Sequence, residues 1–68
     1  MNLKVVPANL QRMMRLLDVT PKQLAASIGM SERSLYRRFK TPSDFTLGEL
    51  DTITKKYHIS FEKLLESA

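Results

Sequence analysis

Four times in 68 residues a hydroxyl side chain stands between two apolar residues spaced to clasp across a helix start. The four are Val19-Thr20 with Leu24, Met30-Ser31 with Leu35, Phe45-Thr46 with Leu50, and Ile59-Ser60 with Leu64. In each, the Ser or Thr can cap a helix by accepting from a backbone N–H that the first turn leaves unpaired. The apolar residue before the cap can then pack on the one five positions later, a hydrophobic staple. Gln23 and Glu49, each three residues after its threonine, complete capping boxes. One such arrangement could be chance; four together predict an all-α chain of short helices.

The periodicity between these signals agrees. Leu10, Met13, Met14 and Leu17 form one apolar stripe, with Arg12 and Arg15 turned away from it. With Pro7 suited to a first turn, a helix is expected from about Pro7 to Leu17. A second helix starts at Thr20 with Pro21 in its first position, carries Leu24, Ala25 and Ile28 inward, and ends at Gly29. A third runs from Ser31 to about Phe39 or Lys40, because Thr41 precedes Pro42 and is pushed out of the α region. A fourth is expected to bury Leu47, Leu50, Ile53 and Tyr57, and a last short one Phe61 and Leu65. Residues 1–6 are ambiguous, their alternation of Leu3 and Val5 with polar neighbours being compatible with a short extended arm. The whole of 1–68 forms one domain, since so short a chain has room for a single core.

Composition narrows the function. There is no cysteine, hence no disulfide framework and no thiol chemistry, which suits a reducing cytoplasm. Neither a signal-peptide core nor a stretch long enough to span a bilayer is visible. The charge is lopsided: residues 1–40 hold eight Lys and Arg against two acids, whereas 41–68 hold three against five. A polyanionic partner would meet the N-terminal two-thirds.

Helices two and three are joined by Gly29-Met30-Ser31 alone, so the second must cross the first steeply, as in a helix-turn-helix. At about 100° per residue and with Leu35 set inward, Phe39 joins the core side. Arg33 and Arg37 then lie on the far side, flanked by Tyr36 and Ser34, with Glu32 and Arg38 nearer the buried edges. An arginine fork matches guanine O6 and N7 in the major groove, which admits a helix. Glu32 could accept from cytosine N4, and Ser34 and Tyr36 could bond phosphate or base edges. Lys22 and Lys40, with Arg38, would lie where flanking phosphates pass, and the start of helix two favours an anion. The competing reading of these cations is a solvated surface, and of Tyr36 a half-buried aromatic beside Phe39.

The stretches Thr20-Pro-Lys-Gln-Leu-Ala-Ala-Ser-Ile-Gly-Met-Ser-Glu-Arg-Ser-Leu35, Thr46-Leu-Gly-Glu-Leu-Asp-Thr-Ile53 and His58-Ile-Ser-Phe-Glu-Lys-Leu-Leu65 resemble the lambda-repressor-like (Cro/CI, or XRE) DNA-binding domains. The similarity spans about residues 8–66. It implies five helices, a homodimer on an operator with two-fold symmetry, and repression by a prokaryotic or phage protein acting at the nucleoid. It also implies base contacts from Glu32, Arg33 and Arg37, and phosphate contacts from residues around the helix-two start and the turn, here Thr20, Lys22, Gln23 and Ser31. Two departures stand out. Where the family usually has a phosphate-bonding Gln, this chain has Pro21, so the contact must move to Lys22, Gln23 or the backbone. Where it often pairs an Arg with a Glu, this chain has Met14 and Phe39, a sulfur–aromatic pair in place of an ion pair. Residues 31–40 also read locally like an AraC-type recognition helix, but those domains pack two such motifs and only one fits here.

Two other classes remain. A protein-interaction module, an antirepressor or assembly adaptor, would use the acidic C-terminal third and residues such as Ile59 and Phe61. An enzyme has little support: His58 stands alone, Ser31 and Ser34 have no base at readable spacing, and neither a phosphate-binding glycine loop nor a metal cluster is apparent. No cofactor and no small-molecule substrate are expected. The dimer surface is open between the arm, the corner at Tyr57 to Ile59, and the C-terminal helix.

Overall fold

The computed structural model describes residues 2–67. Five α-helices follow one another: α1 Val6–Leu17, α2 Pro21–Ser27, α3 Glu32–Lys40, α4 Leu47–Tyr57 and α5 Phe61–Leu64. Single 3-10 turns at Leu3–Val5 and Pro42–Asp44 precede α1 and α4, and the described residues contain no strand.

Helices α2 to α5 start where the caps place them, whereas α1 begins at Val6 with no side-chain cap. Thr20 Oγ1 accepts from the Gln23 N–H at 3.1 Å while Gln23 Oε1 accepts from the Thr20 N–H at 2.9 Å. Thr46 and Glu49 repeat the exchange at 3.0 Å in both directions. Ser31 and Ser60 accept from the N–H groups of Ser34 and Lys63. The staples close as well, with Leu24, Leu35, Leu50 and Leu64 all fully buried.

Three helices end in the same six-to-one turn. The N–H of Met30 reaches the carbonyl of Ala25 at 3.0 Å around Gly29, whose φ is +74°. Val19 reaches Met14 around Asp18, and Ile59 reaches Thr54 around His58, both turn residues at φ +56°. Left-handed backbone suits glycine, and Asp and His are among the side chains that tolerate it.

Val6, Leu10, Met13, Met14, Leu24, Ala25, Leu35, Phe45, Leu50, Ile53 and Leu64 form one core. Met14 is buried in this core, and Phe39 is partly buried against the cluster. One polar side chain crosses this core: Asn9 donates to the carbonyls of Leu64 at 2.7 Å and Glu66 at 2.9 Å, tying α1 to the end of α5.

Three expectations change. Residues 2–6 are not extended: Leu3–Val5 form the 3-10 turn, capped by Asn2, and Val6 already belongs to α1. The cause is burial, since Val6 is fully enclosed and Leu3 packs on the core; Met1 lies outside the described residues. Leu17 ends the apolar stripe but is 50% exposed, because the last turn of α1 stands over an open groove rather than against a helix. Leu47 is 64% exposed. Phe45 and Leu50 close the core at that end, and the first residue of α4 falls outside their contact.

Candidate nucleic-acid interface

The recognition surface is built by the way α3 leaves α2. The turn around Gly29 reverses the chain within three residues, and Ser31 restarts the helix at once. α3 packs chiefly on α2 and, through fully buried Leu35, on the core. Its opposite face is therefore bare.

On that face Arg33 and Arg37 are exposed, one turn or about 6 Å apart along the axis. Neither is paired with a carboxylate among the described residues. Glu32 at the helix start is exposed too, and Ser34 is half-buried. Tyr36 is 46% exposed. Its ring meets Phe39 edge-on, with centroids 6.2 Å apart and planes at 84°, which fixes the ring while leaving one side open. Tyr36 thus braces Phe39 while part of its ring stays exposed on α3.

The other expected residues stand in the first turn of α2 and at the two ends of α3. Lys22 and Lys40 are exposed and unpaired among the described residues. Thr20, Gln23 and Ser31 are exposed but partly committed. Gln23 spends its carbonyl oxygen on the capping box, which leaves its NH2 as a donor. Ser31 accepts from the Ser34 N–H and donates to Ser34 Oγ at 3.1 Å.

Arg38 stands apart from this group. Its Nε and Nη2 each lie 2.8 Å from an oxygen of Glu49, and Nη1 donates to the carbonyl of Ser34. Hydrogen bonding to Glu49 raises the Arg38 pKa further, against the opposing effect of burial. Burial alone would raise the Glu49 carboxyl; the bonds from Arg38 and the Thr46 N–H, with the Arg38 charge, outweigh it and hold the pKa below the usual carboxylate range. So matched by an anion, the Arg38 guanidinium is not free in the way those of Arg33 and Arg37 are. Glu49 was legible as a capping residue, but nothing in the spacing marked it as the partner of Arg38.

A short helix, a tight left-handed turn and a second helix with an unshielded arginine ridge make this a helix-turn-helix DNA-binding domain. Within that class the assignment is specific: the chain belongs to the Cro/C1-type HTH DNA-binding domains, whose family model matches residues 9–67. No individual curated protein and no solved structure gives a significant match. Among the described residues no helix is long and apolar enough to cross a membrane, and no cluster of acids and histidine is arranged to hold a metal ion.

Proposed function

We propose that the protein is a sequence-specific transcriptional regulator, most simply a repressor, that binds a palindromic operator in double-stranded DNA as a homodimer. The observation that carries this reading is the pair of exposed, unpaired guanidinium groups of Arg33 and Arg37 on the outer face of α3. With α3 in the major groove, they address guanine edges, and Glu32, Ser34 and Tyr36 border the same bases. Lys22, Lys40, the free amide hydrogens of Gln23, and the hydroxyls of Thr20 and Ser31 face the flanking phosphates. This supplies by other groups the contact that Pro21 cannot make. Arg38 is assigned to hold α3 in place instead.

Dimerisation follows from size. One recognition helix reads too few base pairs to define a site, and paired half-sites lie about 34 Å apart. A single copy measures 25 × 23 × 19 Å, so two must stand side by side. Repression follows from occluding a promoter, in the cytoplasm at the nucleoid.

Selection of bound duplexes from a random pool tests the proposal. The expected product is a two-fold symmetric motif with half-sites about one helical turn apart. A pool that enriches no sequence, or enriches an asymmetric motif, overturns it.

A further inference from the structure

Among the described residues, two side-chain bridges tie the α2–α3 pair to the rest of the molecule, and both end on α4. Arg38 of α3 meets Glu49 in the first turn of α4. At the other end Ser27, the last residue of α2, lies 2.7 Å from the hydroxyl of Tyr57, the last residue of α4. Glu49 and Tyr57 stand two turns, about 12 Å, apart along the α4 axis. The direction of the second bridge is fixed by its neighbour. The Ser27 hydroxyl has a single hydrogen and donates it to the Gln23 carbonyl at 2.9 Å, so the Tyr57 O–H donates and Ser27 Oγ accepts.

We infer that α4 is the brace that sets the angle at which α3 leaves α2, and that Tyr57 is its positioning residue at the α2 end. The inference rests on the DNA-reading role of α3 proposed above and names what aims that helix. α2 is seven residues long, too short to hold its geometry by its own hydrogen bonds. Its end also closes loosely, with the Ile28 N–H shared between the carbonyls of Leu24 at 3.3 Å and Ala25 at 3.2 Å. Beyond it, nothing lies within 4 Å of where a Gly29 side chain would begin, so the turn leans on no neighbour there. The turn alone therefore leaves the crossing angle soft. α4 packs on α2, and its two ends grip the two helices separately. A rotation of α3 against α2 has to stretch one bridge or the other. The Tyr57 ring is partly buried against the core, which makes its hydroxyl a fixed point rather than a swinging tip.

Tyr57→Phe removes the hydroxyl and keeps the ring, and Ser27→Ala removes its acceptor. Both leave the charge unchanged, so random-duplex affinity and the salt slope should stay at parental values. The ratio of selected-operator to random-duplex affinity should fall about two- to tenfold in each. The double variant should lose no more than the larger single loss, because one bridge is removed in all three. A role in stability alone would lower the melting temperature and, in binding assays run well below it, leave that ratio where it was. Hydrogen exchange of the Gly29 and Met30 N–H groups, followed without DNA, should speed up at least about threefold in Tyr57→Phe. Unchanged exchange, or an unchanged affinity ratio in the folded variants, overturns the inference. A parent that binds no duplex strikes the operator reading instead, and exchange still decides whether Tyr57 holds the turn.

Discussion

Arg38 and Glu49 face each other through two parallel hydrogen bonds of 2.8 Å, joining the recognition helix to the first turn of α4. The same carboxylate accepts from the Thr46 N–H, so one side chain both caps α4 and grips α3. The side chains are 23% and 17% exposed, dry enough for the pair to matter and wet enough to limit its worth. The pair also neutralises a cation at the flank of the exposed face of α3. On the proposed reading, Glu49 restrains DNA affinity while it steadies the helix that reads DNA.

Glu49→Gln separates these effects, because glutamine preserves the capping box but not the charge. The variant should bind duplex DNA more tightly than the parent, and its log–log salt slope should steepen by about one as Arg38 becomes available to a phosphate. Stability should fall by about 1–2 kcal/mol with loss of a charge-assisted pair. Electrophoretic shifts over a salt series and urea melts measure the two. An unaltered slope would place Arg38 out of reach of the backbone.

The same pair sets a pH dependence. The Glu49 carboxyl has a lowered pKa in the folded state. Its stabilising contribution is therefore complete above the unfolded carboxylate value, about 4.3, and is lost as pH falls through the lower folded value. The stability gap between parent and Glu49→Gln should be constant near neutrality and shrink once pH drops below about 4. Chemical denaturation at stepped pH follows it; a gap unchanged down to the acid-unfolding limit would deny the linkage.

The αL turn residues give a matched test of backbone strain. Asp18 and His58 hold φ +56° with a side chain, and Gly29 holds +74° without one. Asp18→Gly and His58→Gly should each stabilise by about 0.5–1 kcal/mol, the strain relieved less the added freedom of the unfolded chain. Gly29→Ala should destabilise by about 1–2 kcal/mol. No atom lies within 4 Å of the added methyl, so the cost is conformational and not steric. Thermal melts of the three variants read out both signs.

Asn9 is the one amide side chain buried in the core, and it holds two carbonyls at the end of α5. Asn9→Ala leaves the Leu64 carbonyl without its donor and should cost about 1–3 kcal/mol. Because α5 is only four residues long, the loss should first appear there. Hydrogen exchange of the backbone N–H groups of Leu64 and Leu65, which donate to Ser60 and Phe61, should speed up ahead of those in α3. Uniform acceleration would show that α5 does not open separately.

Caps and staples made the helices legible because they are local: Thr20 with Gln23, or Phe45 with Leu50, needs no knowledge of the rest of the chain. Leu35 inward and Arg33 and Arg37 outward followed equally from a 100° step along one helix. Contacts between helices were another matter. Leu17 and Leu47 have the right phase for burial, yet whether a neighbour reaches them depends on where α1 and α4 run past the body. Arg38 and Glu49 are eleven residues apart on different helices, and no periodicity relates them. Asn9 did carry a sign, a polar residue in phase with Val6, Leu10 and Met13, which is how a buried side chain with a distant partner looks in sequence.

Two exposed cations should fail in different ways. Arg37 stands in mid-helix on the outer ridge and Lys22 in the first turn of α2; on the proposed reading the forked donor meets base edges and the point charge meets phosphate. Arg37→Ala should therefore cost about 1–3 kcal/mol on the selected operator and relax the preference at one base position per half-site. Lys22→Ala should weaken operator and random duplex alike and lower the salt slope by about one. Because both side chains are exposed, melting temperatures should barely move, and any change in binding is a change at the interface. If the two substitutions altered operator and random duplex by the same factors, α3 would not be the element that reads sequence.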